Sequence, residues 1–213
     1  MTQIYAVFTG DLTGSRHNAS ALEATMRLLS QTCDTLGRLF ELDLRFTRYR
    51  GDGWQIILPA HLLLEASLAL LSAQRALPQA LDTRIGIGVG SVTHLGSENL
   101  SDAMGEAFLA AGDTLDALTG TSRTLGLSGS AAPQTLAGSL DIVDWMAQGW
   151  TSHQSEAIAV FLLQPEFATN KARAAALGIS RQAYEARFNS SGFPALKALR
   201  KAIKEMRFEA DPE

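Results

Sequence analysis

The sequence has 213 residues, 46% of them hydrophobic and 19% charged, enough apolar material for a sizeable core and not the composition of a disordered chain. The formal net charge is only −4, but it is unevenly placed: residues 1–169 hold nine arginines, no lysine and seventeen acids, and residues 170–207 hold nine cations against two acids. No basic, apolar leader opens the chain and no apolar run is long enough to span a bilayer, which excludes export and membrane classes and leaves a soluble cytoplasmic protein as the expectation.

In chain order, Ile4 to Phe8 (IYAVF) is β-branched and aromatic and reads as a buried strand running into Gly10 and Asp11. Ser20 and Glu23 match a capping box, and Leu22, Met26, Leu29, Cys33, Leu36 and Phe40 follow at helical spacing, predicting an amphipathic helix over about 20–42. Cys33 is the sole cysteine and lies on the apolar face, a packing position. Strands are predicted at 44–49 and 54–58 around a hairpin containing Gly51, Asp52 and Gly53. A helix follows over 60–76, then a strand over 83–92 whose Gly86, Gly88 and Gly90 fall on one face, where a helix or a ligand must approach closely. A helix at about 104–118 and a strand at 124–127 complete a β-α-β-β-α-β-α-β order, and from Ala131 onward the pattern is helical, with helices at 133–147 and 152–164. This predicts a ferredoxin-like α/β fold, an antiparallel sheet with helices on one face, plus an all-α terminal module. The corresponding segments are 1–128, a helical linker over 129–165, and 166–213.

Asp11 ends the first strand and Asp52 sits in the hairpin, so a sheet that places the first strand beside the hairpin brings both carboxylates to one end. Such a pair suits Mg²⁺ or Mn²⁺, with substrate phosphates completing the shell. Leu12, Thr13, Gly14 and Ser15 lie between a strand end and a helix, where backbone N–H groups hold phosphate.

The segments FTGDLTGS (8–15), RYRGD (48–52), RIGIGVGSV (84–92) and GEAFLAAGDTLD (105–116) resemble class III nucleotidyl cyclase catalytic domains. More closely they resemble the SatD family, which joins such a domain to a C-terminal helix-turn-helix. The resemblance covers about residues 4–128. It implies that Asp11 and Asp52, with the Leu12 carbonyl, hold the metal beside a nucleoside triphosphate, and that Arg48 stands where cyclases read the base. It also implies an Asn and an Arg on the helix after the glycine-rich strand, but Leu109 and Asp113 occupy those places. An acid there opposes phosphate charge instead of relieving it, which argues against orthodox turnover unless another cation such as Arg123 substitutes.

The basic block has a helix-turn-helix layout. A first helix ends at Leu177, Gly178 makes the turn, and Ser180 caps a second helix. That layout puts Arg181, Gln182, Tyr184 and Arg187 toward base edges of double-stranded DNA and Lys171 and Arg173 toward phosphate. A last amphipathic helix follows the NSSGFP break at 189–194. His17, His61, His94 and His153 are scattered and suggest no metal site. Trp54, Trp145 and Trp150 read as core or interface residues.

The sequence therefore predicts a DNA-binding transcriptional regulator with a degenerate cyclase-like domain that senses metal and nucleotide, acting as a homodimer on paired half-sites. An active, divergent metal-dependent nucleotidyl cyclase is the alternative, and a non-enzymatic interaction scaffold is the third reading.

Overall fold

The computed structural model describes residues 3–15, 18–49, 51–97 and 99–209; Arg50 of the hairpin motif and His17 lie outside these residues. Strand β1 (Tyr5–Leu12) is central in a five-stranded sheet of order β2-β3-β1-β4-β5, where β2 is Thr47–Tyr49, β3 Gly53–Pro59, β4 Thr83–Gly90 and β5 Leu125–Ser128. β1 pairs antiparallel with β3 and β4, whereas β5 runs parallel to β4. The sheet is thus mixed, and not purely antiparallel as the sequence suggested. The hairpin's first strand is also shorter, beginning at Thr47 instead of 44.

Helices cover both faces, which corrects the one-face expectation. Ala6, Phe8 and Leu12 of β1 join the main core with residues of α1 (Ala19–Phe40) and α2 (Leu63–Ala76). Val7 packs on the other face against Ala107 and Ala111 of α3 (Glu106–Ala117). Burying one Phe such as Phe8 completely contributes about 2–3 kcal/mol, so each face of this strand matters to stability. The glycine stripe of β4 serves α3. A Cβ on Gly88 would stand 2.0 Å from the Ala107 carbonyl oxygen, and one on Gly86 2.3 Å from that of Ala111. Of the two readings of that stripe, the helix holds.

The start of α1 also differs from expectation. Asn18 is the cap, its Oδ1 accepting from the Ala21 N–H at 3.0 Å, and the Ser20 hydroxyl donates to the same oxygen. Glu23 is turned away to Arg48, so no capping box forms.

Beyond the sheet, α4 (Gln134–Gln148) and α5 (Ser152–Leu163) are followed by α6 (Asn170–Ala176), α7 (Arg181–Ser190) and α8 (Lys197–Glu205). Leu140, Trp150, Ile158, Phe193 and Ile203 belong to the same buried cluster as Phe8 and Ile56, so the sheet's main core continues into the terminal helices. The Glu65 carboxylate on α2 receives two N–H groups from Arg200 on α8, both at 2.8 Å. Between α6 and α7, Gly178 has φ +65° and the Ser180 hydroxyl caps α7 by accepting from the Ala183 N–H at 3.1 Å. Among the described residues, no helix is long and apolar enough to cross a membrane.

Candidate functional site

Gly10 prepares the sheet end. The Trp54 ring lies across it so closely that a Cβ would sit 2.4 Å from Cε2, and Trp54 Nε1 is fixed by donating to the Thr83 hydroxyl at 3.1 Å. One residue on, Asp11 stands opposite Gly53 on one side and Arg84 on the other. Asp52 is at the same end: its carbonyl accepts from the Leu12 N–H at 3.2 Å, and its Oδ2 accepts from the Ser15 hydroxyl at 2.5 Å. The two acids and the loop at 12–15 therefore share one end of the sheet.

The residue that sequence reasoning missed is Arg84. Its Nε and Nη2 donate to the two oxygens of Asp11, the first at 3.0 Å, and its Nη1 donates to the Thr119 hydroxyl at 3.0 Å. The Asp11 hydrogen bonds hold the guanidinium above its ordinary pKa, and the nearby charges of Asp11, Asp116 and Asp52 add to that. A bare divalent ion at Asp11 must thus displace a guanidinium. Among the described residues no group of three or more His, Cys, Asp and Glu side chains gathers as a metal-ligand set. The oxygen donors fit Mg²⁺ or Mn²⁺ only as one component of a complex whose phosphates supply the remaining ligands and can engage Arg84.

In the loop, the Thr13 N–H is engaged with the Asp82 carbonyl at 2.8 Å, as is its hydroxyl at 3.2 Å, and Gly14 turns with φ +73°. Arg48 faces Glu23, donating to both its oxygens at 2.9 and 2.8 Å, and its Nε donates to the Gly51 carbonyl at 2.6 Å. The Glu23 hydrogen bond raises the arginine pKa, and the arginine lowers that of Glu23. Arg48 thus ties the hairpin tip to α1. On α3, Leu109 is 73% exposed and Asp113 is exposed. Arg123, the candidate substitute cation, pairs with Asp141 and donates to the Leu125 carbonyl at 3.1 Å.

The seven residues expected on a DNA surface divide. Lys171, Arg181 and Gln182 are exposed, Arg181 making only a loose contact with Glu185 at 3.7 Å, and Ser180 serves as the cap. Tyr184 is instead fully buried, its hydroxyl donating to the Ala157 carbonyl at 3.2 Å and its ring stacked on Phe188. Burial raises its phenol pKa. Ala174, Ala157 and Tyr184 form a small core that needs this ring, so it cannot read a base. Arg187 bonds to Glu156 on α5 at 3.1 Å, and Arg173 lies over the Phe161 ring at 4.8 Å while bonding to Asn170. These two fasten α6 and α7 to the helix beneath.

No family model matches the sequence, and no curated protein matches it. Among solved structures, the chain is similar to a bacterial light-regulated adenylyl cyclase, at 16% identity over 59% of this chain and 76% of that one, with a TM-score of 0.45. It is also similar to the dimeric guanylyl cyclase domain of a RhoGC fusion protein from the aquatic fungus Blastocladiella emersonii, at 18% identity over 59% and 79%, with a TM-score of 0.45. A third is the adenylyl cyclase CyaB from P. aeruginosa, at 15% identity over 54% and 72%, with a TM-score of 0.42.

Proposed function

We propose that the chain is a regulator that binds a nucleoside triphosphate with Mg²⁺ or Mn²⁺ at this sheet end, without turnover, and double-stranded DNA through α6 and α7 used as a helix-turn-helix. One observation carries the first half: Asp11 and Asp52 share a sheet end, with the Arg84 guanidinium beside Asp11 and the Ser15 hydroxyl on Asp52. In this reading the two carboxylates and the Leu12 carbonyl hold the cation, Gly14 and Ser15 meet phosphate, and Arg84 answers phosphate charge; Thr13, whose N–H and hydroxyl are both taken by the Asp82 carbonyl, anchors the loop instead of donating to phosphate. Arg48 acts through position, holding the hairpin that carries Asp52. The exposed face of α3 offers Leu109 and Asp113, neither able to stabilise charge developing on phosphate, which favours sensing over catalysis.

The DNA half rests on Arg181 and Gln182 standing exposed at the capped N-terminus of α7, with Lys171 exposed on α6. Tyr184, Arg173 and Arg187 support that surface from below.

Calorimetry with Mg²⁺ and each of the four nucleoside triphosphates tests the site. Binding that weakens at least about tenfold in Asp52→Ala is expected, since a cation ligand is lost; no heat with any nucleotide removes the sensing role. Retardation of double-stranded DNA that falls with salt and disappears in an Arg181→Ala/Gln182→Ala variant is the expected result for the second half. A cyclic product formed with Mn²⁺ and lost in Asp52→Ala would make the protein a divergent cyclase instead. Failure of all these assays leaves the interaction scaffold.

A further inference from the structure

The chain has four lysines, all between positions 171 and 204, and three of them lie on α8: Lys197, Lys201 and Lys204. At i, i+4 and i+7 they share one side of the helix, and all three are exposed. The other side is committed to the interior: Ile203 is buried, Leu199 packs on the main core, and Leu196 is buried just before the helix. Besides the lysines, the outward surface offers Ala198, Ala202 and Glu205. Little neutralises the stripe. Glu65 on the adjoining α2 is taken by Arg200, and Glu205 reaches Lys201 only loosely, at 3.9 Å between two well-exposed side chains. Among the described residues, no carboxylate pairs with Lys197 or Lys204. The positive field reaches a neighbour, since burial and then the Lys204 charge lower the pKa of His61.

Chemistry identifies the partner of this stripe. The first 169 residues contain no lysine, so lysine is not this chain's general means of meeting water. A lipid surface takes a basic helix by burying its apolar face, and the apolar face of α8 is already in the core. Protein interfaces are built on aromatic side chains and arginine and are depleted of lysine, whereas this surface shows lysine and alanine. A nucleic-acid backbone asks only for point charges at a suitable spacing. The three lysines span about 10 Å of helix, against about 3.4 Å of duplex axis per phosphate on one strand, so they match two or three successive phosphates. α8 is also fixed beside the helix-turn-helix, because its Arg200 and Arg173 of α6 lie over the same Phe161 ring, at 5.5 and 4.8 Å.

We propose that Lys197, Lys201 and Lys204 of α8 hold the phosphate backbone of double-stranded DNA, a contact that rests on the DNA-binding reading and adds to it a surface that α6 and α7 do not contain. α8 supplies affinity without regard to sequence, and base preference is left to α7.

Fluorescence anisotropy of the full chain with a labelled duplex of arbitrary sequence, repeated across a range of salt, tests it, since phosphate contacts need no operator. The variant Lys197→Gln/Lys201→Gln/Lys204→Gln is expected to bind at least about tenfold more weakly at low salt. Its slope of log affinity against log salt should flatten by between about 2 and 3, close to 0.9 for each phosphate released. Arginine at the same three positions should restore the wild-type slope. All three side chains are exposed, so both variants melt as the wild type does. An unchanged slope in the glutamine variant, with Arg181→Ala/Gln182→Ala still abolishing retardation, overturns the α8 contact and leaves α7 as the DNA surface. A flattened slope in the glutamine variant, beside an Arg181→Ala/Gln182→Ala chain that binds as the wild type, supports α8 and removes α7. A wild-type chain that binds no duplex overturns both. Binding to phosphatidylserine vesicles that the glutamine variant loses, with its DNA slope unchanged, assigns the stripe to a lipid surface and overturns the proposal.

Discussion

The sheet end and the terminal helices both contain arginines that look available in the sequence, and the fold commits them differently. At the sheet end Arg84 faces Asp11 across adjacent strands, both side chains about a quarter exposed, so an incoming anion or cation can compete for either partner. In the terminal helices, Arg200 is held by Glu65, Arg187 by Glu156, and Arg173 lies on Phe161. The exposed cations there are mainly the lysines at 171, 197, 201 and 204, together with Arg181 and Arg207. The contrast follows from chemistry: the planar guanidinium donates in pairs and stacks on rings, whereas the ammonium keeps its water. Counting charge along a chain therefore overstates the charge that a ligand meets.

The sharpest break in this contrast comes from Tyr184→Ala. A structural ring predicts a loss of about 3–5 kcal/mol of stability, read from the urea midpoint. Weakened DNA binding at unchanged stability would return Tyr184 to the surface. Next, Arg200→Ala leaves Glu65 shielded and unpaired, and a loss of about 2 kcal/mol is expected after allowing for partial exposure. A double change to Arg200→Met and Glu65→Met should restore much of it, which the same unfolding curves measure. Smaller again, Arg181→Ala should weaken double-stranded DNA binding about tenfold with no change in melting temperature. Arg187→Ala should lower stability by less than about 1 kcal/mol, its ion pair being partly exposed. A reversal of those two phenotypes would mean that the helix presents its other side.

The last prediction concerns pH. Burial pushes the Cys33 thiol up to about 12 from its ordinary 9.0, so the folded chain keeps a proton that the unfolded chain releases. The contribution is whole below pH 9 and fades as pH rises from 9 toward 12, by about 1 kcal/mol at pH 10. Subtracting the pH dependence of Cys33→Ala from that of the wild type isolates it. Equal slopes above pH 9 would show that the thiol ionises freely in the fold.

Much of the front half could be read from local pattern. The IYAVF run, the helical spacing from Leu22 to Phe40 and the glycines of β4 each point to the element found there. The covering of both faces was also written in that first run, since Ala6, Val7 and Phe8 are consecutive apolar residues, and alternation would mark a one-sided strand. What escaped reading was long-range. Arg84 meets Asp11 only because β4 pairs with β1 in that register, across 73 residues, and Arg200 reaches Glu65 across 135. Local spacing contains no trace of either pairing. The basic block hid its own division for the same reason: the partners of Arg187 and Arg173, Glu156 and Phe161, lie on α5.

Because Phe193, Leu196 and Ile203 complete the cluster that begins at the central strand, the helices beyond residue 165 are not a detachable tail. A chain cut after residue 165 would lay bare the greasy sides of α2 and α5 and clump before any assay of the front half began. Heating the whole chain should instead melt sheet and terminal helices in one calorimetric peak, as a jointly owned interior requires.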